Sequence, residues 1–174
     1  MISGKINILL ADDDKDDCLI FKEALEELDL NSQLTTVHDG EQLMQLLANL
    51  STGQAADRHG NSGELFDVLF LDLNMQRKNG FECLEEIKRS EQLKSLPVII
   101  LSTLYDPRIA DQLYKSGAQH YISKPTDFSQ LKKIVHLAIT LTKQSQAERV
   151  TLSGVEGRTT QPSKKDFYIK PILL

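Results

Sequence analysis

Four short stretches hold the residues able to do chemistry. Asp12-Asp13-Asp14 follows the apolar run KINILLA, Asp72 closes DVLFLD, Ser102-Thr103 ends PVIILS, and Ser123-Lys124-Pro125 ends QHYISKP. Carboxylates gathered within a few ångströms repel one another, so they must hold a proton or bind a cation. Hard oxygen ligands with no histidine nearby favour Mg²⁺, with Mn²⁺ as the substitute, over zinc. A lysine ammonium and a hydroxyl beside such a cation suit a phosphoryl group. In that arrangement Lys124 and Ser102 each hold one phosphoryl oxygen and the metal holds a third. Aspartate can be the nucleophile, through an aspartyl-phosphate. Asp72 stands alone at the end of a central strand and is the best candidate. Asp12 and Asp13 are then the metal ligands.

Each stretch has a plainer reading when taken alone. Acids favour helix starts, Asp72 could be a turn or capping residue, and Ser102 could be a strand-end hydroxyl bonded to backbone. Lys124-Pro125 could be just a loop. The four in this order make the phosphoryl reading dominate. Asp16 and Asp17 are read as the solvated face of the first helix. His38, His59, His120 and His136 show no ligand spacing and are read as surface or half-buried.

The chemistry requires these stretches to meet at one edge, and the hydropathy pattern supplies elements to do that. Short apolar runs predict strands at 5–11, 33–37, 67–72, 97–102 and 119–123. Helical spacing predicts helices at 14–29, 40–50, 80–90, 107–117 and 126–142. Asp14 is a plausible cap for the first. Asp106-Pro107 is a cap followed by proline at the first helical position. Three of the strands are unbroken apolar runs, which marks a parallel sheet covered on both faces. The expectation is an α/β fold with a doubly wound, five-stranded parallel sheet in flavodoxin-like order 2-1-3-4-5 and five helices. Ligands of such sheets bind outside the carboxyl ends of the strands. Asp72 is tolerable on a buried strand because that end opens to metal and solvent.

Composition sets the outer bounds. The chain has 174 residues, 40% of them hydrophobic, and net charge −5. One domain with a real core is expected at 1–143. Residues 51–64 are read as a surface insertion and 144–174 as a flexible C-terminal tail with an apolar tip, FYIKPILL. The acidic balance argues against a broad nucleic-acid surface. No run approaches membrane-spanning length, and no signal peptide is evident, so a cytoplasmic protein is expected. Cys18 and Cys83 form no CxxC pair and read as reduced, buried thiols.

The motifs ILLADDD, FLDLNMQRKNGFECLEEIK, LPVIILST and GAQHYISKP, in this order across residues 5–142, resemble the response-regulator receiver domain of two-component signalling. The nearest look is that of stand-alone receivers paired with bacterial phytochromes. The resemblance implies that Asp72 accepts a phosphoryl group from a sensor histidine kinase or phosphotransfer protein. It implies a metal held by Asp12 or Asp13, Asp72 and the backbone carbonyl of Asn74. It also implies a cis bond between Lys124 and Pro125, and a switch pair, Ser102 and Tyr121, that turns inward on activation. Output would pass through the face of the fourth helix, fifth strand and fifth helix to a protein partner, a relay or a homodimer. Gln76 departs from the family's usual proline, which would loosen that loop. Asn74 and Thr103 occupy variable positions from which a phosphoryl lifetime cannot be read. Two alternatives belong to other classes. One is a receiver-like binding module that never takes phosphate. The other is an aspartate-nucleophile phosphatase of the haloacid-dehalogenase type. In that type the nucleophile sits on the first strand, in a DxD motif.

Overall fold

The computed structural model describes residues 4–51, 66–103, 106–152 and 162–169. The insertion expected at 51–64, save Ser51, and residues 153–161 and 170–174 of the tail therefore lie outside the described residues. The elements run β1 (Ile6–Ala11), α1 (Lys15–Glu26), β2 (Ser32–Val37), α2 (Gly40–Ser51), β3 (Val68–Asp72) and α3 (Gly80–Arg89). They continue with β4 (Val98–Ser102), α4 (Pro107–Lys115), β5 (His120–Ser123), α5 (Phe128–Leu152), the single turn α6 (Lys164–Phe167) and β6 (Tyr168–Ile169). All strands are parallel, in the order β2-β1-β3-β4-β5-β6. This is the flavodoxin-like order expected, with one short strand added at the β5 edge.

The twofold alternation of a strand explains the three layers. Leu9, Leu69, Leu71, Val98 and Ile100 point to one face, against Leu43 and Leu47 of α2, Leu84 and Ile87 of α3 and Leu113 of α4. Ile8, Leu10, Phe70, Ile99 and Leu101 point to the other face, against Phe21 and Leu25 of α1 and Val135 and Ala138 of α5. Both faces are covered, so the central strands, apart from Asn7 near the start of β1, carry no polar residue until their carboxyl ends. Cys18 and Cys83 are free and buried, as expected. Burial pushes both thiols up to about 11 and keeps them unreactive.

Two features lie beyond the sequence reading. The helix expected to end near 142 runs on to Leu152. Its apolar stripe stops there, but Lys143 pairs with Asp67 at 2.6 Å and the Gln146 amide donates to the Asp67 carbonyl. Then residues 162–169 return to the sheet. Tyr168 and Ile169 pair in register with Tyr121 and Ile122. Phe167 is buried, 5.2 Å edge-on to Tyr114 and 6.5 Å from Tyr121. Tyr114 donates its hydroxyl to the Pro162 carbonyl, and Lys164 pairs with Asp111. The segment covers a strand edge that would otherwise present unpaired backbone groups.

One histidine needs correction. His38 and His136 are exposed, but His120 is only 2% exposed and lies under this segment. His59 lies outside the described residues. The Nδ1 atom of His120 is 3.2 Å from the Asp166 carbonyl, so this nitrogen carries the proton, and Nε2 has no partner among the described residues. Burial holds the His120 pKa below its ordinary 6.5, against the opposing pull of the 166 and 167 backbone. The unfolded chain therefore takes up a proton before the folded chain does. Stability from this group is complete above the ordinary histidine range and is lost as pH falls below it. Urea melts between roughly pH 7 and pH 5 should show stability declining with acid, and His120→Gln should flatten that slope.

Candidate functional site

The carboxyl ends of β1, β3, β4 and β5 converge as required. Asp12 follows β1 directly, and its amide donates to the Val37 carbonyl. It is 2% exposed, and Asp72, the last residue of β3, is 4% exposed. The acidic run divides its work. Asp14 caps α1, accepting from the amides of Asp16 and Asp17. Asp12 and Asp13 turn toward Asp72, and one oxygen from each of the three lies within 4.8 Å of the others. The plain helix-start reading is thus right for Asp14 alone.

The loop after Asp72 is held despite Gln76. The Asn74 amide donates to Asp72 Oδ2 at 2.7 Å, which fixes that carboxylate. Met75 is buried in the core, and the Gly80 amide donates to the Leu73 carbonyl. Arg77 adopts φ 63, in the left-handed region, and its guanidinium reaches Asp39 and Glu41 at 3.6 Å. Asn79 and Glu82 form a reciprocal cap on α3. Gly80 has a role beyond opening that helix. A Cβ there would stand 2.1 Å from the Asp72 carbonyl oxygen. Gly80→Ala must push the end of β3 aside, with an expected cost of about 1–3 kcal/mol. Chemical denaturation would read that cost, and amide shifts at Asp72 and Asn74 would show the displacement.

Lys124 sits where the strand ends meet. Its amide donates to the Ser102 carbonyl at 2.7 Å, tying the β5–α5 loop to the end of β4. Its ammonium lies 2.7 Å from Asp12, 2.8 Å from Asp17 and 3.1 Å from Asp72. Burial alone would lower the lysine pKa. The hydrogen bonds to Asp12 and Asp17 outweigh it, so the group is held above its ordinary value and stays charged. Burial raises the Asp12 pKa, against the opposing pull of Lys124. Ser102, buried at the end of β4, pairs in register with Ser123. Tyr121 is fully buried and packs against Phe167 and Tyr168.

Two expectations change here. The Lys124–Pro125 bond is trans, since no described peptide bond is cis. Trans is the favoured isomer even before proline, by about 0.5–1 kcal/mol. Asp17 is not simply a solvated residue. It bonds Lys124 and lines a groove of about 490 Å³ with Asp12, Ile20, Thr103, Pro125 and Phe128. Helical side chains tilt toward the helix N-terminus. An acid in the first turn of α1 therefore leans back toward the strand ends, and that signal was available in the sequence.

The donor set fits a hard divalent cation. Three carboxylates offer oxygens at one point, two of them are buried, and one lysine does not neutralise them.

The chain matches the model of the response regulator receiver domain over residues 8–136. It belongs to that family. The response regulator Rcp1 of Synechocystis sp. is 30% identical over 74% of the chain and 82% of its own length. The transcriptional regulatory protein ZraR of Salmonella typhimurium is 28% identical over 90% of the chain, which spans only 31% of that protein. Among solved structures, the phosphorylated cyanobacterial phytochrome response regulator RcpA superposes with a TM-score of 0.62 at 29% identity, covering 88% of this chain and 98% of its own. The Mn²⁺-bound form of Rcp1 shares the fold, with a TM-score of 0.61 at 24% identity over 88% of this chain and 99% of its own. The chain is thus a receiver domain of two-component signalling. Among its described residues, no helix is long and apolar enough to cross a membrane.

Proposed function

We propose that this receiver takes a phosphoryl group on Asp72 from a sensor histidine kinase or a phosphotransfer protein and passes the signal to a protein partner. One observation carries the reading. The carboxylate closing β3 lies 3.1 Å from Lys124 and shares one point with Asp12 and Asp13. An Asp72 oxygen attacks phosphorus, the P–N bond to the donor imidazole breaks, and the imidazole leaves with that electron pair. Lys124 and Ser102 hold the transferred oxygens, and in-line positioning supplies most of the acceleration. Asp12, Asp13, Asp72 and the Asn74 carbonyl would hold Mg²⁺ or Mn²⁺, which when bound neutralises charge developing on the phosphoryl oxygens.

The donor side is supported by exposed Leu19 and Ile20 on α1, beside the groove. Apolar residues there give a kinase helix a surface to rest on. A phytochrome-type kinase is suggested by likeness to the cyanobacterial phytochrome response regulator RcpA. A cytoplasmic site of action fits such a donor. On the output side, residues 162–169 lie against Tyr114 and Tyr121, so the tail belongs to the α4–β5 surface that a partner or a second copy would meet. The phosphatase reading is disfavoured because the nucleophile would stand on β3 rather than β1. Beryllofluoride, a phosphoryl mimic, tests the proposal. With Mg²⁺ present it should shift the amide resonances of Asn74, Ser102 and Tyr121. An unchanged spectrum would favour a binding module that never takes phosphate.

A further inference from the structure

Both buried carboxylates have each oxygen engaged. Asp12 Oδ1 accepts from the Asp14 amide and Oδ2 from Lys124. Asp72 Oδ2 accepts from the Asn74 amide, and Oδ1 faces Lys124. The amide partners belong to the turns that shape the site. The oxygens of Asp12 and Asp72 that no backbone amide holds are those facing the lysine, so a divalent cation drawn to them meets the ammonium. An ammonium has three donors, and here they meet three carboxylates, of which only Asp17 stands outside the cation cluster. Asp17 is also the accessible one, its side chain 39% exposed against 3% and 5% for Asp12 and Asp72. Its backbone is fixed by the Asp14 cap.

We infer that Asp17 is a positioning residue for Lys124, the anchor that lets the ammonium release Asp12 and Asp72 when a divalent cation enters. This rests on the phosphoacceptor reading above and deepens it. Without Asp17 the ammonium has, among the described residues, only the cation's own ligands as ion-pair partners, so lysine and metal compete. Asp17 bound to Lys124 also leaves the lysine charged and close to where phosphoryl oxygens would arrive.

The test is calorimetric titration of the full chain with MgCl₂, without any phosphodonor. Asp17→Asn should weaken Mg²⁺ binding roughly twofold to fivefold, the scale of one partly exposed ion pair. Asp16→Asn removes the same charge from the same exposed turn and should leave affinity near that of the parent chain. In a Lys124→Ala background, Asp17→Asn should have no further effect, because the competitor is gone. Thermal melts check that each variant is folded. Equal losses in Asp16→Asn and Asp17→Asn, or a loss that persists without Lys124, would overturn the positioning role and reduce Asp17 to general electrostatics. A parent chain that binds no Mg²⁺ would overturn the metal site itself and this inference with it. Phosphoryl uptake is read separately, by incubation with an acyl phosphate: a parent chain that binds Mg²⁺ in the titration but gains no phosphoryl group there would reject the phosphoacceptor reading and leave Asp17 as the anchor of Lys124 at a metal site.

Discussion

Asp72→Asn should abolish phosphoryl uptake and at the same time make the metal-free protein more stable. The carboxamide oxygen is too poor a nucleophile to form the acyl-phosphate, and the other oxygen is replaced by a nitrogen. The stability gain follows from charge. Asp12, Asp17 and Asp72 meet one lysine, Asp13 stands beside Asp12 and Asp72, and Asp12 and Asp72 are almost fully buried. Neutralising one of them relieves like-charge repulsion, worth about 1–2 kcal/mol. The amide keeps an oxygen to accept from Asn74, so the loop is retained. Radiolabel uptake from a small phosphodonor would read the first effect. Urea melts in chelator would read the second. A destabilised Asp72→Asn would mean that the Lys124 contact outweighs the repulsion.

Lys124→Ala should cost about 3–5 kcal/mol without metal, the range for stripping the partner from a buried charge. Asp12 is the residue most exposed to that loss. It is buried, its pKa is already raised by burial, and Lys124 is its only cationic side-chain contact among the described residues. Millimolar Mg²⁺ should restore much of the stability, because a divalent cation replaces the missing positive charge and binds only the folded site. The measurement is a pair of urea melts on this variant, with Mg²⁺ and with chelator. A loss of the same size in both would make Lys124 a packing residue rather than a counter-ion. The same variant should keep metal binding while phosphorylation no longer drives output.

The parts of this molecule legible in the sequence are those repeated along the chain or confined to one end of a strand. β1, β3 and β4 are apolar on both faces because helices cover both, and that pattern survives in any single strand. Asp12, Asp72, Ser102 and Lys124 stand out because they interrupt it. Legibility fails where a contact joins distant segments without a pattern. β6 has two residues, too few for alternation, and its register against Tyr121 depends on 46 intervening positions. His120 is buried by that segment and not by its own strand. α5 continues past its apolar stripe through the Asp67 contacts, which no periodicity in 143–152 announces. The contacts of Met75, Asn79 and Gly80 around Gln76 are equally without a pattern in the sequence.

Everything proposed for this receiver turns on Asp72 taking a phosphoryl group at a divalent-cation site. The most direct measurement is the intact mass of the full chain after incubation with a small acyl phosphate, in Mg²⁺ and in chelator, followed by fragmentation to locate the added group. The expected result is a gain of one phosphoryl group in Mg²⁺ only, carried by the peptide containing Asp72. A gain on any other residue, or one of equal size in chelator, would contradict it.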